Sequence, residues 1–183
     1  MEAIASLKRE HRVMREVCKA CRHELDRAGR CHVVDAAEIE RFIEFFRFYT
    51  NSCHDPKEED LLFSMLHHKG LAWDEEPLKS LCYEHDAMRA MLKAAAEWVP
   101  KARRGDQSAL EPLCHDLLAY VDEIEQHMAK EESGVFVHAL DVLSEADHDE
   151  LTRAFENVDS EDSEEGAVEY YEGLAQDLTS YGT

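Results

Sequence analysis

Two segments of this 183-residue chain carry one pattern, and that pattern fixes most of what the chain can fold into. His54 and Glu58 stand in CHDPKEEDLLF, and His127 and Glu131 stand in QHMAKEESGVF. Both segments read H-x-x-K-E-E, with a phenylalanine five residues after the first glutamate. On a helix, residues i and i+4 share a face, so each pair offers an imidazole and a carboxylate to one point. A lone histidine in a helical pattern precedes each segment, at His11 and His85. The lone histidines are 74 residues apart and the paired positions 73 apart, which marks an internal repeat of a helical hairpin.

The residues around the repeat favour helix. Only 7 Gly and 4 Pro occur in the chain, and no segment shows the alternation of a strand. A first helix is expected from Ile4 to Ala28, stopped at Gly29. A second starts after Asp35, a good N-cap, and runs to His68 before Gly70. A third starts near Glu75, with Pro77 in its first turn, and Gly105 closes it. A fourth runs from Ser108 to Leu143. Ser144 and Asp147 form a capping pattern for a short helix to Val158, and a last one covers Ala167 to Leu178. The fold class is therefore all-α: an antiparallel up-down four-helix bundle over residues 1–143, with a short acidic helical appendage over 144–183. Pro56 lies inside the second helix, between His54 and Glu58, and a kink is expected there.

The levels of the candidate residues can be compared without any motif. In an up-down bundle two residues share a height when the turn lies midway between them. The midpoint of His11 and His54 falls at residues 32–33, that of His54 and His85 beside Gly70, and that of His85 and His127 at Asp106, next to Gly105. All four histidines then lie in one layer. Four buried imidazoles and two buried carboxylates are costly without a cation or tight pairing. Two histidines per metal and two shared carboxylates fit a dinuclear site, and this donor set suits iron or manganese, and also zinc. The candidate ligands are His11, His54, Glu58, His85, His127 and Glu131.

With these residues in place, the chain resembles the hemerythrin-like (HHE cation-binding) family over residues 1–143. The resemblance implies a four-helix bundle with a non-haem di-iron centre, oxo- or hydroxo-bridged, with Glu58 and Glu131 between the two metals. Zinc or manganese would be substitutes. The chain departs from the oxygen-carrying hemerythrins, which have a second histidine four residues from the one on the third helix. Those positions here are Leu81 and Arg89. Their acid on the fourth helix comes five residues after the histidine, where this chain has Glu132. The ligand set is closer to the symmetric four-His, two-Glu type of bacterial HHE proteins.

Composition narrows the setting. The formal net charge of −21 argues against phosphate-backbone binding, so no nucleic-acid partner is expected. No stretch approaches the roughly 20 apolar residues of a membrane span, and no export signal is evident, so no membrane partner and a cytoplasmic location are expected. Six cysteines are then expected as reduced thiols, with Cys18 and Cys21 packed in the core and Cys82 a candidate to line the site. Residues 145–177 hold thirteen acids and one base, Arg153, which reads as a solvated face. Asp55 is a further candidate oxygen ligand. Tyr120 and Glu123 are candidates to support the layer, and His138 to pack beside it. His32, His67 and His68 are expected at exposed helix ends.

The leading functional expectation is a di-iron protein that binds, senses or responds to a small diatomic or peroxide ligand (O2, NO or peroxide). The same ligands would serve a di-iron enzyme for peroxide removal or iron–sulfur cluster repair, or a metal-storage or signalling protein.

Overall fold

The computed structural model describes residues 1–31, 33–73, 76–161 and 167–180, and among these every regular element is helical. α1 spans Glu2–Cys31. The second long helix runs without interruption from α2 (Ala36–Phe45) to α3 (Ser64–His68). α4 spans Leu78–Arg103 and α5 spans Leu110–Ser133, with a 3-10 turn at Gln107–Ala109 before it. α6 (Val135–Val142), α7 (Glu145–Glu161) and α8 (Ala167–Ser180) follow. α1 packs against α5, α5 against α4, α4 against α2, and the second long helix returns to α1, which closes the expected bundle.

Local chemistry sets the boundaries. The Asp35 carboxylate accepts from the backbone N–H groups of Ala37 and Glu38 and starts α2. Gly70 (φ 109°) and Gly105 (φ 79°) take the left-handed conformation at the turns. Gly29, expected as a stop, lies inside α1, where a lone glycine costs only about 1 kcal/mol and Arg30 suits the last turn. The third helix starts at Leu78; its expected start, Glu75, lies outside the described residues, as does His32. At Ser144 the expected cap is reciprocal: the Ser144 N–H donates to Asp147 Oδ2 at 2.8 Å, and the Asp147 N–H donates to Ser144 Oγ at 3.3 Å.

Two features depart from the expected helices. Around Pro56, which has no N–H to donate, the helix widens to π register over Phe46–His54 and again over Lys57–Phe63. The Asp55 N–H accordingly reaches back five residues to the Thr50 carbonyl. The expected fourth helix is broken at Gly134 (φ −118°, ψ −90°), so α5 and α6 are separate elements. A Cβ on Gly134 would lie 2.9 Å from the Lys130 carbonyl oxygen, so the tight break needs a residue without one.

The core is split in two. One cluster, towards the turns at residues 33–35 and 104–106, includes Met14, Phe42, Phe46, Met88, Leu117 and Tyr120. The other, towards residues 69–77, includes Leu7, Leu62, Phe63, Leu81, Phe136 and Phe155. Between them in sequence on each long helix stand the buried polar residues of the repeat. The C-terminal helices add Leu151 and Phe155 to one cluster and Leu174, Ala175 and Leu178 to the other. Tyr171 stacks on Phe48 at 4.0 Å, while Tyr170 is exposed.

Candidate metal centre

Each long helix sends polar side chains into the gap between the two apolar clusters. α1 gives His11, the π-register helix gives His54 and Glu58, α4 gives His85, and α5 gives His127 and Glu131. All six are between 0% and 3% exposed, a burial that demands partners. The fold therefore brings together all six residues that the sequence singles out. The histidines form two facing pairs: His11 Nε2 is 3.1 Å from His54 Nε2, and His85 Nε2 is 2.7 Å from His127 Nε2.

The carboxylates lie between the pairs. Glu58 turns Oε1 towards His54 Nε2 (3.3 Å) and Oε2 towards His85 Nε2 (3.5 Å). Glu131 turns Oε2 towards His11 Nε2 (3.4 Å) and Oε1 towards His127 Nε2 (3.0 Å). Each glutamate thus presents one oxygen to each pair. His11, His54, Glu58 and Glu131 form one group whose donor atoms lie within 4.8 Å of one another, and Glu58, His85, His127 and Glu131 form a second.

A second ring of acids fixes the imidazoles. His11 Nδ1 bonds Glu132 (2.9 Å), His54 Nδ1 bonds Glu10 (2.7 Å), His85 Nδ1 bonds Glu59 (2.6 Å) and His127 Nδ1 bonds Glu84 (2.9 Å). An ionised carboxylate only accepts, so each Nδ1 donates to its acid and each Nε2 points inward. Each acid is held in turn by a cation: Glu10 by Lys57 (2.8 Å), Glu59 by Arg89 (2.6 Å), Glu84 by Lys130 (2.7 Å) and Glu132 by Arg15 (2.8 Å).

This arrangement fits a metal. Four inward Nε2 atoms face one another in two pairs at contact distance, and all four oxygens of Glu58 and Glu131 are buried without a hydrogen-bond partner. Orphaned buried acceptors of this kind call for a cation. Protonation shows the same demand. Burial works against a charge on His54, yet Glu58 and Glu10 outweigh it and hold its pKa well above the usual value. Burial likewise opposes a charge on His85, but Glu58 and Glu59 push its pKa up to about 11. Burial would raise Glu58, and the neighbouring His54 and His85 bring it well below the carboxylate range. Outer acids that hold histidines by their second nitrogen are the usual support of metal-ligating imidazoles.

Sequence reasoning missed this outer ring, although its signal is in the repeat. The lysine of each H-x-x-K-E-E reaches the glutamate that precedes a lone histidine, Glu10 or Glu84. The second glutamate, Glu59 or Glu132, reaches the lone histidine of the other half. The trailing phenylalanine stacks on that same histidine: Phe63 on His85 at 6.3 Å and Phe136 on His11 at 5.3 Å. Every fixed letter of the motif therefore has a contact in the layer or its support.

The other candidates lie as follows. Asp55 is 2% exposed; its Oδ2 accepts from Arg89 at 2.9 Å, and it groups with Glu59 and His85 at the rim. Arg89 and Leu81, at the departures from the oxygen carriers, are the cation on Glu59 and a core residue. Cys18 and Cys21 are buried in the apolar cluster, and Cys82 is half-buried near Glu59 and His85. Tyr120 is fully buried with its ring against Phe46. His138 is exposed rather than packed, because the break at Gly134 turns the register of α6 away from that of α5. His67 and His68 are exposed, as expected.

The model of the family described as hemerythrin HHE cation binding domain matches residues 2–139. Among curated proteins the chain is 25% identical over 151 residues to an uncharacterized protein of Mycobacterium bovis and to uncharacterized proteins of two Mycobacterium tuberculosis strains. The match covers 82% of this chain and 58% of theirs, so the chain spans little more than half the length of these relatives. No solved structure matches it. No helix among the described residues is long and apolar enough to cross a membrane.

Proposed function

This chain belongs to the hemerythrin HHE cation-binding family, and on that premise we propose that it is a non-haem di-iron protein that binds a small oxidant such as O2, NO or peroxide. His11 and His54 would hold one iron and His85 and His127 the other, with Glu58 and Glu131 offering one oxygen to each pair. The observation that carries this reading is the set of buried, unpartnered oxygens of Glu58 and Glu131, each carboxylate turned to both histidine pairs. These residues would supply about four donors to each metal, fewer than iron commonly takes, so bound iron would supply a place for a small ligand. Bound iron would supply one-electron and oxygen chemistry.

The chain's own residues select what arrives. The six side chains are 3% exposed or less, which shields the centre from bulk solvent. Phe63 and Phe136 wall one side of the layer with apolar surface and keep bulk water from the imidazoles. The outer acids keep every Nδ1 protonated and every Nε2 pointed inward.

The test is the optical spectrum of iron-loaded protein in air, followed by exposure to NO. Near-ultraviolet absorption from a ferric pair, changed by NO, is the expected result. A folded protein that binds iron with a spectrum indifferent to O2, NO and peroxide would overturn the ligand-binding reading.

A further inference from the structure

The internal repeat makes the two halves of the centre comparable residue by residue, and one difference stands out. In one half Lys130 bonds Glu84, which bonds His127, and the Lys130 side chain is 51% exposed. In the other half Lys57 bonds Glu10, which bonds His54, and Lys57 is 2% exposed. Lys57 also has a second acid within ion-pair distance, Asp159 of α7, with Oδ1 at 2.6 Å, whereas Lys130 has Glu84 alone at that range among the described residues. Burial would strip the charge from Lys57, but Glu10 and Asp159 outweigh it and keep the ammonium charged.

The C-terminal extension accounts for the difference. α7 packs on α1 and the second π-register segment, and α8 packs on α1, α2 and the first, so both lie chiefly over the half that carries His11 and His54. Leu151, Phe155, Leu174 and Leu178 anchor them in the two apolar clusters. Ion pairs of exposed lysines are weak because water screens them and the side chain loses entropy to form them. A lysine buried between two carboxylates has neither escape, so Glu10 is held in place where Glu84 is only loosely held. Asp159 also adds a negative charge beside the Glu10–Lys57 pair, and an added negative charge favours a cation nearby.

We propose that Asp159 is a positioning residue of the metal centre: through Lys57 and Glu10 it fixes the His54 imidazole, so that the extension makes the metal at His11 and His54 leave more slowly than the one at His85 and His127. This rests on the ligand assignment above. The extension is thereby a device that gives two chemically matched sites different exchange rates.

The experiment loads the full-length chain with Co(II), adds excess chelator and follows metal release. The wild type is expected to release two ions in two phases. Asp159→Asn should speed the slow phase about tenfold and leave the fast phase unchanged, the size expected for loss of outer support. Lys130→Met, the matched change in the other half, should speed only the fast phase. Asp159→Asn acting on neither phase, or on both equally, would overturn the proposal while leaving the ligand assignment standing. A folded wild type that releases one ion or none would overturn the assignment and the proposal together. The thermal midpoint of each variant, measured alongside, separates a local effect from general loosening of the fold.

Discussion

Removing one outer acid tests whether the second ring works as the geometry says. Glu59 Oε1 takes the Nδ1–H of His85 at 2.6 Å and an Arg89 N–H at 2.6 Å. In Glu59→Ala, the Arg89 guanidinium keeps Asp55 at 2.9 Å and Asp86 at 3.0 Å, so it is not stranded. His85 Nδ1, in contrast, loses the acceptor that fixes its tautomer and ring orientation. Loss of such a partner costs about 10–100-fold in metal affinity, or roughly 1.4–2.8 kcal/mol. Glu58→Ala should cost more, because its two oxygens turn to opposite histidine pairs at 3.3 and 3.5 Å. Competition against a chromophoric chelator with Zn(II) or Co(II) measures both variants. The expected order is wild type, then Glu59→Ala, then Glu58→Ala, with Glu132→Ala matching Glu59→Ala by the repeat. Glu59→Ala binding within about threefold of wild type would refute the outer-ring argument. Equality with Glu58→Ala would show that the inner and outer roles are misassigned.

Three further outcomes are expected. In metal-free protein His85, raised from 6.5 to about 11, contributes stability that is full below pH 6.5 and lost as the pH rises towards 11. Glu58, lowered from 4.5, contributes above that pH and is lost on acidification. Metal needs the unprotonated Nε2, so the gap in thermal midpoint between loaded and chelated protein should widen from about pH 6 to about pH 8.5; a constant gap would contradict the reading. A 1–143 chain should still bind metal but melt lower, since it lacks buried Leu151, Phe155, Leu174 and Leu178; a folded 1–143 chain without metal would mean that the extension supplies a ligand. Gly134→Val should destabilise by about 1–3 kcal/mol in denaturant melts, from the clash with the Lys130 carbonyl; an unchanged midpoint would show that the break tolerates a side chain.

The sequence made the bundle and the inner layer legible because both follow from periodicity. Spacing of four puts His54 with Glu58 and His127 with Glu131, and midpoint arithmetic puts all four histidines at one height. The outer ring was not read, because its contacts cross helices: Glu59 was visible only as a residue turned some 100° from Glu58, and what it meets there depends on packing. The π register around Pro56 was legible only as a disturbance, since a missing N–H does not say how the helix will accommodate it. The break at Gly134 is not legible in the sequence, because a lone glycine in a helical pattern is often tolerated, as Gly29 is. The burial of Lys57 against Asp159 could not be foreseen from a tail whose composition reads as solvated surface.

A pair of metals held by six side chains is tested most directly by elemental analysis of folded, anaerobically reconstituted protein after removal of loosely bound ion. About two irons per chain are expected in the wild type, with strong loss in Glu58→Ala and Glu131→Ala. A folded wild type with one iron per chain or none, or inner-glutamate variants that keep the wild-type metal content, would contradict it.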